Sequence, residues 1–195
     1  IYASDFVDSF GPAATLRTPY GQTVKTAAVF GQVEFQATDK LNLIAGLRYE
    51  DEERKLKNFA TFFGGANVTG GLVNNTTGLD ELTGRLAAEY AVTEDFLTYA
   101  SVSRGVKSGG FTAYNSFSPD AVSAFSPEVL IAYEVGFKSV FADRTVQLNG
   151  AAFYYDYTDQ QVQNGVFLTA PPRPIGRISN APKSEIWGAE AELQW

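Results

Sequence analysis

The chain has 195 residues, a formal net charge of −7, and no cysteine, methionine or histidine. It therefore lacks the thiolates and imidazoles that most metal sites, nucleophiles and general bases need, which makes an enzyme the least supported class. The excess of acidic residues also disfavours a nucleic-acid partner, because phosphate binding needs a basic surface. We expect no catalytic residue, no metal site, no cofactor and no nucleic-acid partner.

Aromatic residues make up 14% of the chain and glycines number 18, a mixture typical of strands and turns. No stretch approaches the roughly 18 consecutive apolar residues that a membrane-spanning helix needs. We expect residues 1–23 to be a loop or the end of a preceding element, and residues 24–195 to form strands.

The first predicted hairpin covers residues 24–50. Apolar and polar residues alternate on both sides of a short turn at Thr38–Lys40, which is the period of a strand with one apolar face. A register that places Ala37 opposite Leu41 brings the two apolar faces together. Its predicted pairs are Phe35 with Leu43, Val33 with Ala45, and Val29 with Tyr49.

Two further hairpins are predicted, at residues 82–106 and 129–159. The turn of the second hairpin is Val92–Asp95, and its return strand alternates so weakly that both facings remain open. The turn of the third hairpin is Phe141–Arg144. Pairing Val140 with Thr145 places Phe137 opposite Leu148 and Lys138 opposite Gln147, so that apolar meets apolar and polar meets polar.

A last strand is predicted at residues 184–195, with its apolar residues at alternate positions. The three turns are short and lie at one end of the predicted sheet, whereas the links at the other end are long and rich in Gly, Asn, Ser, Thr or Pro. These links cover about 51–81, 105–128 and 159–184. The predicted fold is an all-β, antiparallel up-and-down meander of about seven strands.

The strand lengths and the composition of the two faces favour a membrane barrel over a soluble sandwich. Runs of ten to fifteen residues exceed the roughly five or six of soluble strands and reach the nine to eleven that cross a bilayer. The polar face has few lysines, and small residues interrupt the apolar face, which suits lipid better than a packed core. Aromatic residues near the strand ends fit interfacial girdles. These are Tyr49, Tyr90, Phe96, Tyr99, Tyr133, Phe137, Phe141, Tyr154, Tyr157 and Trp195.

Several stretches also resemble a known family. AAVFGQVEFQATDKLNLIAGLRYEDEER (27–54), TYASVSRGVKSGGF (98–111), FSPEVLIAYEVGFKSVFADRTVQLNGAAFYYDYTDQQ (125–161) and SEIWGAEAELQW (184–195) are similar, in this order, to the β-barrel of TonB-dependent outer-membrane receptors. The resemblance implies the bacterial outer membrane, contact with its lipid, and uptake of a siderophore, haem, cobalamin or glycan driven by the TonB complex. Because the barrels of this family have roughly twenty-two strands and enclose a plug, we expect a partial barrel whose plug is absent and which continues beyond Trp195.

The basic, glycine-rich stretch after the second hairpin is interpreted as a strand exit. A phosphate-binding loop would need a glycine directly before its lysine and a helix after it, and neither is present. The expected strand-exit residues are Arg104, Gly105, Lys107, Gly109, Gly110 and Phe111.

Aromatic residues in the long links are candidates for contact with a ligand, because a ligand would meet that end of the sheet first. They are Phe62, Phe63, Tyr114, Phe117, Phe125 and Phe167. The alternative is that they, together with Phe59, pack the links onto one another.

Two other classes of protein remain open at this stage. One is a complete small outer-membrane barrel of structural or adhesive role, in which residues 1–20 supply an eighth strand. The other is a soluble, secreted β-sandwich that binds carbohydrate.

Overall fold

The computed structural model describes the backbone of residues 2–9, 15–112, 122–169 and 172–195, and the side chains of residues 15–112, 122–165 and 176–195. No helix in these ranges is long and apolar enough to cross a membrane. The strands are β1 (Tyr2–Ser9), β2 (Thr15–Gln36), β3 (Leu41–Phe59), β4 (Phe62–Phe63), β5 (Ala66–Asn67), β6 (Val73–Thr93), β7 (Phe96–Lys107), β8 (Gly110–Phe111), β9 (Ala124–Phe125), β10 (Glu128–Phe141), β11 (Val146–Thr169) and β12 (Pro172–Gln194).

Ten of these strands form one antiparallel sheet, in the order β12, β11, β10, β7, β6, β3, β2, with β1 and the short β4–β5 hairpin beside β2. Each long strand pairs with its neighbours along the chain, and β8 and β9 form a separate ribbon. Within the described residues β12 pairs only with β11, so the sheet is open. The predicted all-β meander is confirmed, with eight long strands where about seven were expected.

The amino-terminal segment differs from the expectation for residues 1–23. β1 pairs antiparallel with the first residues of β2, so that Tyr2 lies opposite Gln22 and Ser9 opposite Thr15. β2 therefore begins nine residues before the predicted strand. Pro19 and Gly21 lie inside this extension, and both residue types argue against a strand when only the sequence is read.

The long links also contain much more strand than predicted. β2, β3, β6, β11 and β12 are 19 to 24 residues long, about twice the length that crosses a bilayer. Their extensions reach Phe59, Val73, Thr169 and Pro172, well inside the predicted links. Polar residues occupy both faces there, so the sequence shows no alternation.

The registers of two hairpins test the predicted pairing. The first hairpin has the predicted pairs, including Val29 with Tyr49 and Val33 with Ala45. The prediction for the third hairpin is wrong by two residues, because Val140 lies opposite Gln147. Its turn is longer than expected, with positive φ angles at three consecutive non-glycine residues, Ala142, Asp143 and Arg144.

The pairs of β7 decide the facing that the sequence left open. Val102 lies between Leu86 and Tyr133, and Ala100 lies between Ala88 and Val135. The even-numbered residues of β7 therefore belong to the apolar face. Tyr99 belongs to the polar face, where its hydroxyl donates a hydrogen bond to Glu134, so its assignment to an interfacial girdle is wrong.

Only a small hydrophobic core is buried within the described residues. Leu56, Phe59 and Val122 form its centre, and Tyr20, Val73 and Phe111 pack against them. The core lies on the polar face, where the strands extend beyond the predicted hairpins. Along the rest of the sheet the large apolar side chains are exposed, which is the reverse of a water-soluble domain.

Candidate functional site: a two-faced wall and its rim

The apolar face forms a continuous belt across the sheet. Val33, Leu47, Leu86, Val135 and Leu193 are 67%, 61%, 58%, 57% and 56% exposed. They lie on five strands between β2 and β12, and cross-strand pairing places them on one face of the sheet. An exposed apolar surface of this extent marks an interface with an apolar environment.

Aromatic side chains border this belt at both ends. Phe35, Tyr90 and Phe141 lie near the short turns, whereas Tyr49, Tyr133, Tyr154 and Trp187 lie at the other end. Along β10, Phe141 lies eight positions after Tyr133, or about 27 Å of extended chain. With the usual strand tilt of about 35–45°, this length spans about 20 Å across the membrane, comparable with the roughly 25 Å apolar band between the aromatic girdles of membrane barrels.

The opposite face carries hydrogen-bonded polar side chains at the level of the belt. The Tyr99 hydroxyl lies 2.7 Å from the Glu134 carboxylate, and the Asn42 amide nitrogen lies 3.4 Å from the Glu89 carboxylate. The Gln32 amide donates to Glu34 over 3.1 Å. Water or polar protein groups, and not lipid, suit this surface.

Beyond the row of Tyr49, Tyr133, Tyr154 and Trp187, the strands continue as a polar rim, by which we mean the ends of β2, β3, β6, β11 and β12. Three ion pairs lie at the start of this rim. They join Arg48 to Glu50 over 2.7 Å, Arg54 to Glu52 over 3.0 Å, and Arg104 to Glu81 over 2.6 Å. These arginines are thus neutralised within the wall itself.

The outward side of the rim is also charged. The Lys55 ammonium hydrogen-bonds to Glu53 over 2.8 Å and holds the pKa of that carboxyl below its usual range, with Lys25 adding a smaller effect. On β12 the Glu185 carboxylate lies 2.8 Å from Lys183 and raises the pKa of that ammonium. Both groups are exposed, so salt would screen these effects.

The predicted strand-exit residues lie at and beyond the end of β7, where its pairing with β6 and β10 stops. Arg104 is in the last pair that joins β7 to β6, and its guanidinium bonds to the Leu82 carbonyl oxygen as well as to Glu81. Lys107 lies opposite Glu128 in the last pair that joins β7 to β10. Gly105 has open space where a side chain would project.

Gly109 and Gly110 lie beyond the end of β7, at the start of the β8–β9 ribbon. Neither is among the described glycines with positive φ. Instead, a Cβ atom at Gly109 would lie 2.4 Å from the carbonyl oxygen of Phe125, and one at Gly110 would lie 2.8 Å from the Phe125 ring. The two glycines therefore allow the close approach of β8 and β9, while Phe111 packs on the hydrophobic core.

The structure describes the side chains of three of the six candidate ligand-contact residues, and these three lie on two different short strands. Phe62 and Phe63 lie on β4 beside β2, and Phe63 is 44% exposed. Phe125 lies on β9, and Phe59 is fully buried, which fits the packing alternative for that residue. The other three fall outside the described side chains: Tyr114 and Phe117 in residues 113–121, and Phe167 in residues 166–175.

Sequence reasoning missed two polar features of the rim. Thr18, Thr61 and Thr69 are buried together, with the Thr18 and Thr61 hydroxyls 3.3 Å apart. Gln161 and Asn180 bond to backbone atoms more than 30 residues away. Neither feature has a local sequence signal, because Thr18 is 43 residues from Thr61 and Gln161 is 35 residues from Ser126.

Comparison with known proteins identifies the family. Residues 2–195 match the family described as TonB dependent receptor-like, beta-barrel. The chain therefore belongs to the TonB-dependent receptors, as part of their β-barrel, and is part of an outer-membrane protein of Gram-negative bacteria. This confirms the family and the location that the sequence implied, and it excludes both the soluble sandwich and the small structural barrel.

Individual relatives show how much of such a receptor the chain represents. It is 28% identical over 173 residues to a pesticin receptor of Yersinia pestis, a match that covers 89% of this chain and 24% of the relative. The chain thus spans about a quarter of the length of the curated relatives it matches.

Two solved structures share the fold at lower identity. The ferric yersiniabactin uptake receptor FyuA from Yersinia pestis has a TM-score of 0.73 and 24% identity, covering 93% of this chain and 27% of that one. The copper transporter OprC has a TM-score of 0.68 and 13% identity, covering 94% and 34%. Their different cargoes show that this fold alone does not specify a substrate.

Proposed function

We propose that the chain forms part of the wall and rim of an energised outer-membrane transporter that takes up a scarce nutrient. The observation that carries this proposal is the family match over residues 2–195, supported by the apolar belt between two aromatic borders. In such barrels the short turns face the periplasm and the longer connections face the outside. The rim would then form the wall of an extracellular vestibule.

Among the possible nutrients we favour a ferric siderophore over haem, cobalamin or a glycan. A pesticin receptor is the 28% identical relative, and the ferric yersiniabactin receptor has a closely similar fold. The three arginines at the start of the rim are already paired with glutamates. Aromatic and amide groups are therefore the main contacts that the rim offers to a small organic complex. We therefore infer that recognition by this part of the wall depends on stacking and hydrogen bonds more than on ion pairs.

The aromatic residues of the links are the proposed contacts with the ligand. Phe63 is partly exposed on β4, and Phe125 lies on the ribbon that crosses the polar side of the rim. The full set is Phe62, Phe63, Tyr114, Phe117, Phe125 and Phe167. Energy would come from the inner-membrane TonB complex, acting through the plug of the whole receptor.

The test is uptake by cells that carry the full-length receptor. A deletion strain complemented with the receptor gene is supplied with ⁵⁵Fe complexed to a phenolate, a catecholate or a hydroxamate siderophore, or with haem, in iron-limited medium. We expect saturable uptake of one siderophore class that disappears in a tonB deletion or with a protonophore. Uptake that is unaffected by loss of TonB, or absent for every iron complex, would refute the proposal.

A further inference from the structure

The wall has a gap at the rim because its strands end at different heights. β7 ends at Lys107 and β10 begins at Glu128, whereas β6 on one side begins as early as Val73 and β11 on the other runs to Thr169. A strap fills this gap. We define the strap as residues 108–112 and 122–127, which include β8 and β9.

Gln161 of β11 joins the two ends of the strap. Its side-chain amide donates to the carbonyl oxygen of Ser108 over 2.9 Å and to that of Ser126 over 3.2 Å, with Lys107 at 3.4 Å. The backbone N–H of Gln161 also donates to the Glu128 carboxylate over 2.6 Å. One side chain therefore binds the point where the chain leaves β7 and the point where it returns to β10.

Asn180 of β12 holds the returning end a second time. Its amide oxygen accepts from the Ser126 N–H over 2.8 Å, and its amide nitrogen donates to the Ser126 carbonyl oxygen over 3.0 Å. The same nitrogen donates to the Asp159 carbonyl oxygen over 2.7 Å. The side chain thus forms a two-bond bridge of the kind that joins paired strands.

Packing fixes the strap on the polar face of the wall. Val122 is 3% exposed and lies against Leu56 and Phe59 of β3. The backbone N–H of Ile178 donates to the Thr112 hydroxyl over 3.1 Å, so the outgoing end contacts β12 as well. The strap is therefore attached to the tall strands on both sides of the gap.

We propose that Gln161 and Asn180 are positioning residues that clasp the strap to the wall before any ligand arrives. The clasp holds Phe125, one of the proposed ligand contacts, at a fixed place on the strap. This part of the inference rests on the proposed function, whereas the clasp itself does not. An already ordered surface would lower the entropy that ligand binding must offset.

The clasp is tested without a ligand through the accessibility of Val122. The chain has no cysteine, so a Val122→Cys substitution gives a local probe in the strap once any cysteine elsewhere in the full-length receptor is replaced by serine. We expect slow maleimide labelling in this background and at least tenfold faster labelling when Gln161→Ala and Asn180→Ala are added. Heat-modifiable migration verifies that the barrel remains folded.

Asn164→Ala is the matched control, because Asn164 is an amide on β11 whose side chain donates to the Ser179 hydroxyl over 2.7 Å. It should leave labelling of the cysteine unchanged. Gln161→Glu should accelerate labelling more than Gln161→Ala, because a carboxylate would face carbonyl oxygens. Equal labelling rates with and without the clasp residues would overturn the proposal.

The positioning role is tested by the kinetics of ferric siderophore uptake. Loss of both amides should raise the half-saturation concentration at least fivefold and leave the maximal rate unchanged, since the transport machinery is intact. If labelling becomes faster but the half-saturation concentration does not change, the two amides hold the strap without positioning a surface that binds the ligand. If labelling is faster without the clasp residues, as expected, but the receptor transports no siderophore, the proposed function is refuted and the clasp is still supported.

Discussion

The ring of Phe137 lies over Gly150, its direct partner across β10 and β11. A Cβ atom at Gly150 would be 2.6 Å from that ring. Tyr99 covers Gly136 and Phe153 covers Gly188 in the same way, so each strand pair from β7 to β12 has one such contact. A ring that covers a glycine fills the space left by the missing side chain and packs the two strands together.

Gly136→Ala should destabilise the barrel by about 1–3 kcal/mol, the usual cost of overpacking. The new methyl group would lie 2.6 Å from the Tyr99 ring and 2.7 Å from the Gly150 carbonyl oxygen, and the backbone cannot move aside as a ring can. Urea unfolding in detergent, followed by heat-modifiable migration, measures the loss.

Gly31→Ala is the control for this substitution, because nothing lies within 4 Å of its added Cβ atom. It should be neutral or slightly stabilising. Equal losses at the two glycines would show that the close contact at Gly136 is not the cause.

Tyr99→Phe should reduce stability by about 1 kcal/mol, the net value of a partly solvated hydrogen bond. The substitution removes the 2.7 Å bond to Glu134 but keeps the ring over Gly136. Tyr99→Ala loses both and should cost about 3 kcal/mol or more. Tyr155→Phe is the control, since Tyr155 stacks on Phe153 with centroids 4.8 Å apart and has no hydrogen-bonded hydroxyl within the described residues.

Spin labels will distinguish the two faces of the wall in the full-length receptor. Labels at Val33, Leu47, Val135 and Leu193 should collide often with oxygen and rarely with a water-soluble nickel complex, because lipid covers the apolar face. Labels at the neighbouring Glu34, Glu134 and Glu192 should show the opposite preference or strong immobilisation. Water contact at the first set would contradict the membrane assignment.

The Glu53 carboxyl should titrate below the ordinary glutamate range. Lys55, and more weakly Lys25, favour its charged form, so this pair adds stability at neutral pH. Because the pKa is lowered in the folded state, that contribution is lost as the pH falls through the folded pKa. Carbon-13 NMR of carboxyl-labelled glutamate measures the midpoint, with Glu53→Gln to assign the signal.

Lys55→Gln should return the Glu53 midpoint toward its ordinary value, and high salt should have the same effect on the exposed pair. Lys57→Gln serves as the control, because the lysines that lower the pKa are Lys55 and Lys25. A midpoint that is insensitive to Lys55 would show that the ion pair does not form in solution.

The sequence predicts strand pairing well where the two faces differ in polarity. The register of Val29 with Tyr49 followed from alternation on both sides of a short turn. The register predicted for the third hairpin was wrong by two residues. Because side chains alternate with a period of two, this error keeps every side chain on its correct face. Local patterns could not detect the positive φ angles at Ala142 to Arg144, which non-glycine residues rarely adopt.

The rim was much less predictable than the belt. The extensions of β3 and β6 have polar residues on both faces, and without a lipid boundary no alternation marks them as strands. Gln161 and Asn180 lie in a stretch predicted as a link, and their partners at Ser126 are 35 and 54 residues away. Such contacts depend on the fold of the whole wall.

The side-chain amides of Gln161 and Asn180 form hydrogen bonds with main-chain atoms of the strap, and not with its side chains. The location of this ribbon is therefore separable from its chemistry, since most of its side chains can be exchanged without touching an anchoring bond. The exceptions include Thr112, whose hydroxyl accepts the Ile178 N–H, and Val122, which packs on the hydrophobic core. Gly109 is another, because any larger residue would collide with the Phe125 carbonyl oxygen. Receptors built in this way can acquire new ligand preferences by substitution within the ribbon while the surrounding wall stays unaltered.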